Sequence, residues 1–209
     1  MGHSPQAIIV GITGASGTVY GLRLVEVLLK AGYPVHLLIT APGRLVASME
    51  DGLNLPARPE EIGRRLLQRY GDVRGELHVF GENDWRAPMA SGSSGLRHMA
   101  VCPCTMATLS AVATGASRNL LERAADVILK ERGNLVLVPR ETPLNAIHLE
   151  HMLGLARMGT VILPPCPGFY HRPESITDLV DFVVARVLDQ LGVEHELGAR
   201  WPQPWIDRE

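Results

Sequence analysis

The sequence predicts a single doubly wound α/β domain over residues 1–209, a Rossmann-like, mostly parallel sheet with helices on both faces. Three observations predict it. Short aliphatic runs alternate with longer amphipathic stretches along the chain. Each apolar run is bounded by Gly, Pro or Asn, as buried strands are. A chain of 209 residues with 46% hydrophobic and 20% charged side chains can build one large core, burying roughly 70% of its unfolded surface.

In order, the first strand is "QAIIVGI" (6–12), followed by a helical pattern over 18–31. "PVHLLIT" (34–40) is the second strand, with helical patterns over about 41–51 and 60–70. "ELHVF" (76–80) adds a short strand, and "ASGSSG" (90–95) is a low-complexity connection. "HMAVCP" (98–103), "NLVLVP" (134–139) and "GTVILP" (159–164) complete the buried strands. Between and after them lie helical patterns at 105–131, broken near Gly115–Asn119, at 143–157 and at 174–191. Strand–helix alternation implies parallel pairing through right-handed crossovers. From about residue 192 the chain reads as a C-terminal arm, whose two Trp among two Pro would pack on this or a neighbouring subunit.

Composition narrows the function. A net charge of -2 gives no nucleic-acid surface, and no apolar stretch approaches 18 uninterrupted residues, so no membrane span is expected. Three cysteines are too few and too odd for a disulfide framework, which fits a reducing, cytoplasmic setting. "MGHSPQ" lacks the basic and apolar regions of a signal peptide, and Gln6 breaks the myristoylation pattern. Of 20 basic residues all but Lys30 and Lys130 are Arg, so a single Arg is weak evidence of function.

Ligands of such sheets bind beyond the carboxyl ends of the strands. The stretches at those ends are "TGASG" (13–17), "TAPGR" (40–44), "CTMAT" (104–108), "RETP" (140–143) and residues 165–172, where small, hydroxyl, Arg and Pro-Gly residues pool. Glycines before a helix suit an anion. Here they fall at 11, 14, 17 and 21 with Thr13 between, which is not the dinucleotide fingerprint. The second strand ends in Thr40, and the nearest following acids are Glu50 and Asp51, so the ribose-binding acid of a nicotinamide site is missing. No Gly-Lys-Ser/Thr follows, which excludes a P-loop. FMN fits this loop better. A glycine turn that merely packs helix on strand is the alternative. "CPC" (102–104) and "HLEH" (148–151) lack the further ligands and spacing of metal sites, so no metal is expected.

Taken together, "TGASG", "PMASGSSG", "VCPCTMATLSAVATGAS", "NLLERAADVILKER", "LVLVPRETPL" and "PPCPGFYHRP" resemble the flavin prenyltransferases, the UbiX/Pad group of the flavoprotein decarboxylase-like family. The resemblance spans residue 7 to about 190. It implies metal-free transfer of a dimethylallyl group from dimethylallyl monophosphate to N5 and C6 of reduced FMN. The prenylated FMN would pass to a UbiD-type decarboxylase, and the enzyme would be a homo-oligomer, commonly a dodecamer, with sites between subunits. By resemblance Gly14, Ala15, Ser16, Thr40, Thr105, Met106, Ala107, Thr108 and Arg140 hold FMN. Arg123, Lys130, Arg140, Tyr170 and Arg186 hold the donor phosphate, and Trp85, Ser91 and Gly92 border the prenyl group. Glu141, Ser16 and Glu50 are the catalytic candidates, with Glu141 as acid/base.

Plainer readings stand beside these. Arg123, Asp126 and Lys130 have the spacing of a solvated ion-pair row, and Arg186 could pair with Asp181 or Asp189. Competing functions are an FMN-dependent decarboxylase of a cysteine-containing substrate, a flavodoxin-like FMN carrier and a nicotinamide reductase.

Overall fold

The computed structural model of the protein describes residues 5–198. Six strands, β1 (Ile8–Ile12), β2 (Val35–Ile39), β3 (Leu77–Phe80), β4 (His98–Cys104), β5 (Asn134–Pro139) and β6 (Val161–Ile162), form one parallel sheet in the order β3-β2-β1-β4-β5-β6. The order reverses between β1 and β4, and that switch point opens the crevice where such sheets bind ligands.

Seven helices cover the sheet: α1 (Thr18–Lys30), α2 (Ala41–Asp51), α3 (Pro59–Tyr70), α4 (Met106–Thr114), α5 (Leu120–Lys130), α6 (Ala146–Arg157) and α7 (Ile176–Leu191). Alternate strand residues feed two cores, as the pleat dictates. Ile8, Val10 and Ile12 pack with Leu24, Leu28, Leu66, Val184 and Leu188 under α1, α3 and α7. Ile9, Met99 and Val101 pack with Leu109, Leu121, Ala125 and Ile128 under α4 and α5.

The expected elements are all present, with different limits. The 105–131 pattern splits because Gly115 takes a left-handed φ of 68° and ends α4, while the Asn119 side chain accepts the Glu122 amide at 2.9 Å to start α5. α6 begins at Ala146, three residues later than expected, because Asn145 forms a capping box with His148. β6 keeps two of its six expected residues and is only half-buried, since an edge strand has one neighbour to bond and no second flank to bury it. Of the expected arm, residues 192–198 turn back on α7, where Val193 is buried, and both Trp lie outside the described residues.

α6 is unusual. It buries Leu155 yet exposes Ile147 (60%), Leu149 (53%) and Leu153 (51%), with Met158 just beyond its end at 58%. Among the described residues no helix is long and apolar enough to cross a membrane.

Candidate active site

The glycine loop leaves β1 with Thr13, whose side chain is buried in the crevice. Its hydroxyl donates to the Pro103 carbonyl (2.8 Å) and accepts the Thr105 amide (2.9 Å), bracing the β1 loop against the β4 loop. Gly14 must be glycine: a Cβ there would lie 2.4 Å from Pro42 Cβ, so the loop can approach α2 only without a side chain. Gly17 turns with a φ of 99° into α1.

The α1 N-terminus is already filled. Glu50, reaching across from the last turn of α2, accepts the Gly17 amide at 2.8 Å and the Thr18 amide at 3.2 Å. Burial acts to raise the Glu50 carboxyl, but the Ser16 hydroxyl and the Gly17 and Thr18 donors outweigh it and hold it below the ordinary carboxylate value. Ser16 and Glu50 are thus a hydrogen-bonded pair at the lip of the crevice. The Glu50 carboxylate thus meets the positive end of the α1 dipole and engages the Gly17 and Thr18 amides.

A second helix N-terminus is filled as well: Ala41 donates to Glu82 (2.6 Å), and Gly43 donates to the Thr40 hydroxyl (3.1 Å). α4 differs. Its cap, Thr105, accepts the Thr108 amide at 3.1 Å and donates to the Thr108 hydroxyl at 3.0 Å. The first-turn amides of Met106 and Ala107 have no partner within the helix, and Ala107 is exposed. Beside them the Arg140 amide donates to the Cys104 carbonyl (3.2 Å), and Arg140 Nε is buried without a hydrogen-bond partner among the described residues. Open helix amides and an orphaned guanidinium N–H are the donors that a phosphate and a ring carbonyl require. Gly14 carries no side chain and Ala15 only a methyl, so the loop adds little bulk that would hinder a flat ring. These residues fit FMN.

Glu141 follows Arg140 at the rim, exposed, and accepts its neighbour Thr142's amide at 3.2 Å. Tyr170, half-exposed in the loop before α7, packs edge-on against Phe182.

The remaining donor-site candidates are not brought to this rim by one chain. α5 and the segment before β4 reach the amino ends of the strands, opposite the crevice. Lys130 pairs there with Glu131, which also meets Arg97, just before β4, and lies against Gly92. Ser91 caps the short turn Gly92–Ser94 at the same end. Arg123 binds Asp126 (2.8 Å) and the Ala90 carbonyl (3.1 Å), higher on the same face. Trp85 is half-exposed in the turn that leaves β3. Arg186 stands one helical turn beyond Phe182 and pairs with Asp189 at 2.5 Å, while Asp181 is taken by Arg23. As they stand, Arg123 and Arg186 form ion pairs that their spacing also allowed, with Asp126 and Asp189, whereas Lys130 pairs with Glu131 in place of the expected row with Asp126.

Sequence reasoning missed Thr13 as the brace and Glu82, in the turn after β3, as the acid that meets the α2 N-terminus. A hydroxyl interrupting the glycine pattern was the one available signal for Thr13. Cys102 and Cys104 belong to the two opposite cores, and burial pushes both thiols far above their ordinary value. Among the described residues no group of three or more His, Cys, Asp or Glu is placed to hold a metal.

The Flavoprotein family model matches residues 2–188. The flavin prenyltransferase UbiX of Pseudomonas aeruginosa is 54% identical over 197 residues, covering 94% of each chain. Among solved structures, AnUbiX (PadA1) in complex with FMN and dimethylallyl pyrophosphate superposes with a TM-score of 0.83 at 37% identity, covering 95% of this chain and 98% of that one. A dodecameric FMN-dependent UbiX-like decarboxylase from Escherichia coli O157:H7 gives 0.82 at 40% identity, covering 94% and 100%. An FMN-dependent cysteine decarboxylase, a peptidyl-cysteine decarboxylase and the cypemycin decarboxylase share the fold alone, at 12–17% identity. The chain belongs to the Flavoprotein family, in its flavin prenyltransferase branch.

Proposed function

We propose that this protein transfers the dimethylallyl group of dimethylallyl monophosphate to reduced FMN, with the rim of the β1/β4 crevice as its reaction centre. The observation that carries the site assignment is the juxtaposition of Arg140, its Nε buried and unpartnered, with the open amides of α4. Reduced FMN supplies the nucleophilic nitrogen and ring carbon that take up the five-carbon group.

The chain's own residues do the rest. Arg140 and the α4 amides fix the flavin, and Gly14 and Ala15 form the floor beneath it. Without a metal, departure of phosphate needs preorganised cations and hydroxyls, a role for Arg140, Tyr170 and Arg186. Glu141, exposed beside Arg140, is placed to give a proton to the leaving phosphate and to accept one afterwards. Ser16, bonded to Glu50, offers a hydroxyl at the same lip.

Lys130, Arg123, Arg186, Ser91, Gly92 and Trp85 complete the site only from another copy. The exposed apolar side chains of α6 give that assembly a surface to bury, and the dodecameric relative supports it. Three free thiols, two of them buried, suit the cytoplasm, and a UbiD-type decarboxylase is the natural recipient of the product. Phosphate release tests the reading. Anaerobic protein with reduced FMN should liberate inorganic phosphate from dimethylallyl monophosphate, and omission of FMN should abolish it. Release that is indifferent to FMN would mean a phosphatase.

A further inference from the structure

The loop before α7 is held in a way that its neighbours are not. His171 lies flat on Phe182, ring centroids 5.4 Å apart and planes within 5°. Tyr170 meets both rings edge-on, His171 at 5.6 Å and 78°, Phe182 at 5.9 Å and 76°. These are favoured geometries for aromatic pairs. Gly168 closes the cluster from below: a Cβ there would lie 3.0 Å from the Tyr170 ring and 3.1 Å from the Phe182 ring. The turn is finished by Arg172, which accepts a left-handed φ of 52° while its amide donates to the Phe169 carbonyl (3.0 Å). A bulky residue adopts that conformation only where its surroundings impose it.

Both nitrogens of His171 are buried, and among the described residues neither has a hydrogen-bond partner. What the ring offers Tyr170 and Phe182 is its flat faces and edges. We infer that His171 is a positioning residue, its ring clamped on Phe182 so that Tyr170 is fixed at the angle from which its hydroxyl meets the donor phosphate. The inference rests on the assignment of Tyr170 to that phosphate under the proposed function.

Donor KM and kcat, with calorimetric binding of dimethylallyl monophosphate to the FMN-loaded protein, test it in wild type, His171→Ala and His171→Phe. His171→Ala should raise KM and weaken donor binding about five- to tenfold, or about 1.0–1.4 kcal/mol at 1.36 kcal/mol per factor of ten, with FMN affinity unchanged. His171→Phe keeps the ring and sheds the orphaned nitrogens, so it should stay within about twofold of wild type on the same scale. In a Tyr170→Ala background, His171→Ala should add almost nothing. Should His171→Ala fail to fold, His171→Leu replaces it, filling the volume without a ring, and the same loss is expected. Unchanged donor binding in His171→Ala, an equal loss in His171→Phe, or full additivity with Tyr170→Ala would each overturn the inference. An inactive wild type would instead defeat the proposed function, so the two failures are distinguishable.

Discussion

Gly21→Ala sets two physical effects of opposite sign against each other. Gly21 lies in the first turns of α1, where alanine is favoured over glycine by about 1 kcal/mol on helix propensity alone. Packing opposes this. A Cβ at position 21 would stand 2.1 Å from the Cys102 carbonyl oxygen and 2.8 Å from Ile12 Cγ1. A carbon needs roughly 3.3 Å from such an oxygen, so the contact must open by about 1.2 Å. The obstacle is the main chain of β4, which lies between β1 and β5, and not the end of a flexible side chain. The helix must lift instead, against its packing on α7 and the 2.7 Å Arg23–Asp181 ion pair. Overpacking costs about 1–3 kcal/mol, and a backbone obstacle places this case at the upper end. After the propensity gain, a net loss of about 2 kcal/mol remains, which lowers Tm by roughly 4–8 °C for a chain of this size. Because α1 carries the Gly14–Gly17 loop, FMN affinity should fall as well. Thermal unfolding followed by circular dichroism, with an FMN titration, measures both. An unchanged or raised Tm would show that propensity wins and that the close packing of α1 on β4 is misjudged.

Three further outcomes are expected. Glu50→Gln should cost up to about 1 kcal/mol at pH 7, a figure reduced for exposure. Because the folded carboxyl is held low, the wild-type advantage is complete above the unfolded value of about 4.3 and disappears as pH falls through the lowered folded value. Denaturant unfolding at pH 7 and pH 3 checks this, and a gap independent of pH would contradict the capping role. Glu141→Gln should bind FMN like wild type but slow transfer about 10²-fold or more, measured by single-turnover kinetics; full activity would remove Glu141 from the chemistry. Lys130→Ala and Glu141→Gln, each nearly inactive, should regain activity when mixed and reassembled, because one intact site can form from two half-sites. Failure to complement would place Lys130 outside a shared site.

The elements were legible because their signals are local. A Gly after an apolar run, an Asn or Ser before a helix and β-branched strands each act within a few residues, as at Gly115, Asn119 and Ser175. β6 was overestimated because a strand's length depends on its neighbours, which periodicity does not record. Gly14 and Thr40 were found at strand ends because that is where the fold puts ligands. The role of Glu50 was not legible in the same way: it caps a helix 33 residues away in sequence, and only the packing of α2 on the β1 loop reveals it. Nor could spacing show that Lys130 and Arg140, ten residues apart, lie at opposite ends of the strands, since β5 runs its full length between them. The family resemblance grouped these residues, and the fold shows that one chain leaves them apart.

The mass of the flavin tests the central claim most directly. After anaerobic incubation of the protein with reduced FMN and dimethylallyl monophosphate, the extracted flavin should be heavier by one dimethylallyl unit, with one phosphate released per flavin modified. FMN recovered at its original mass after such an incubation would contradict the assignment.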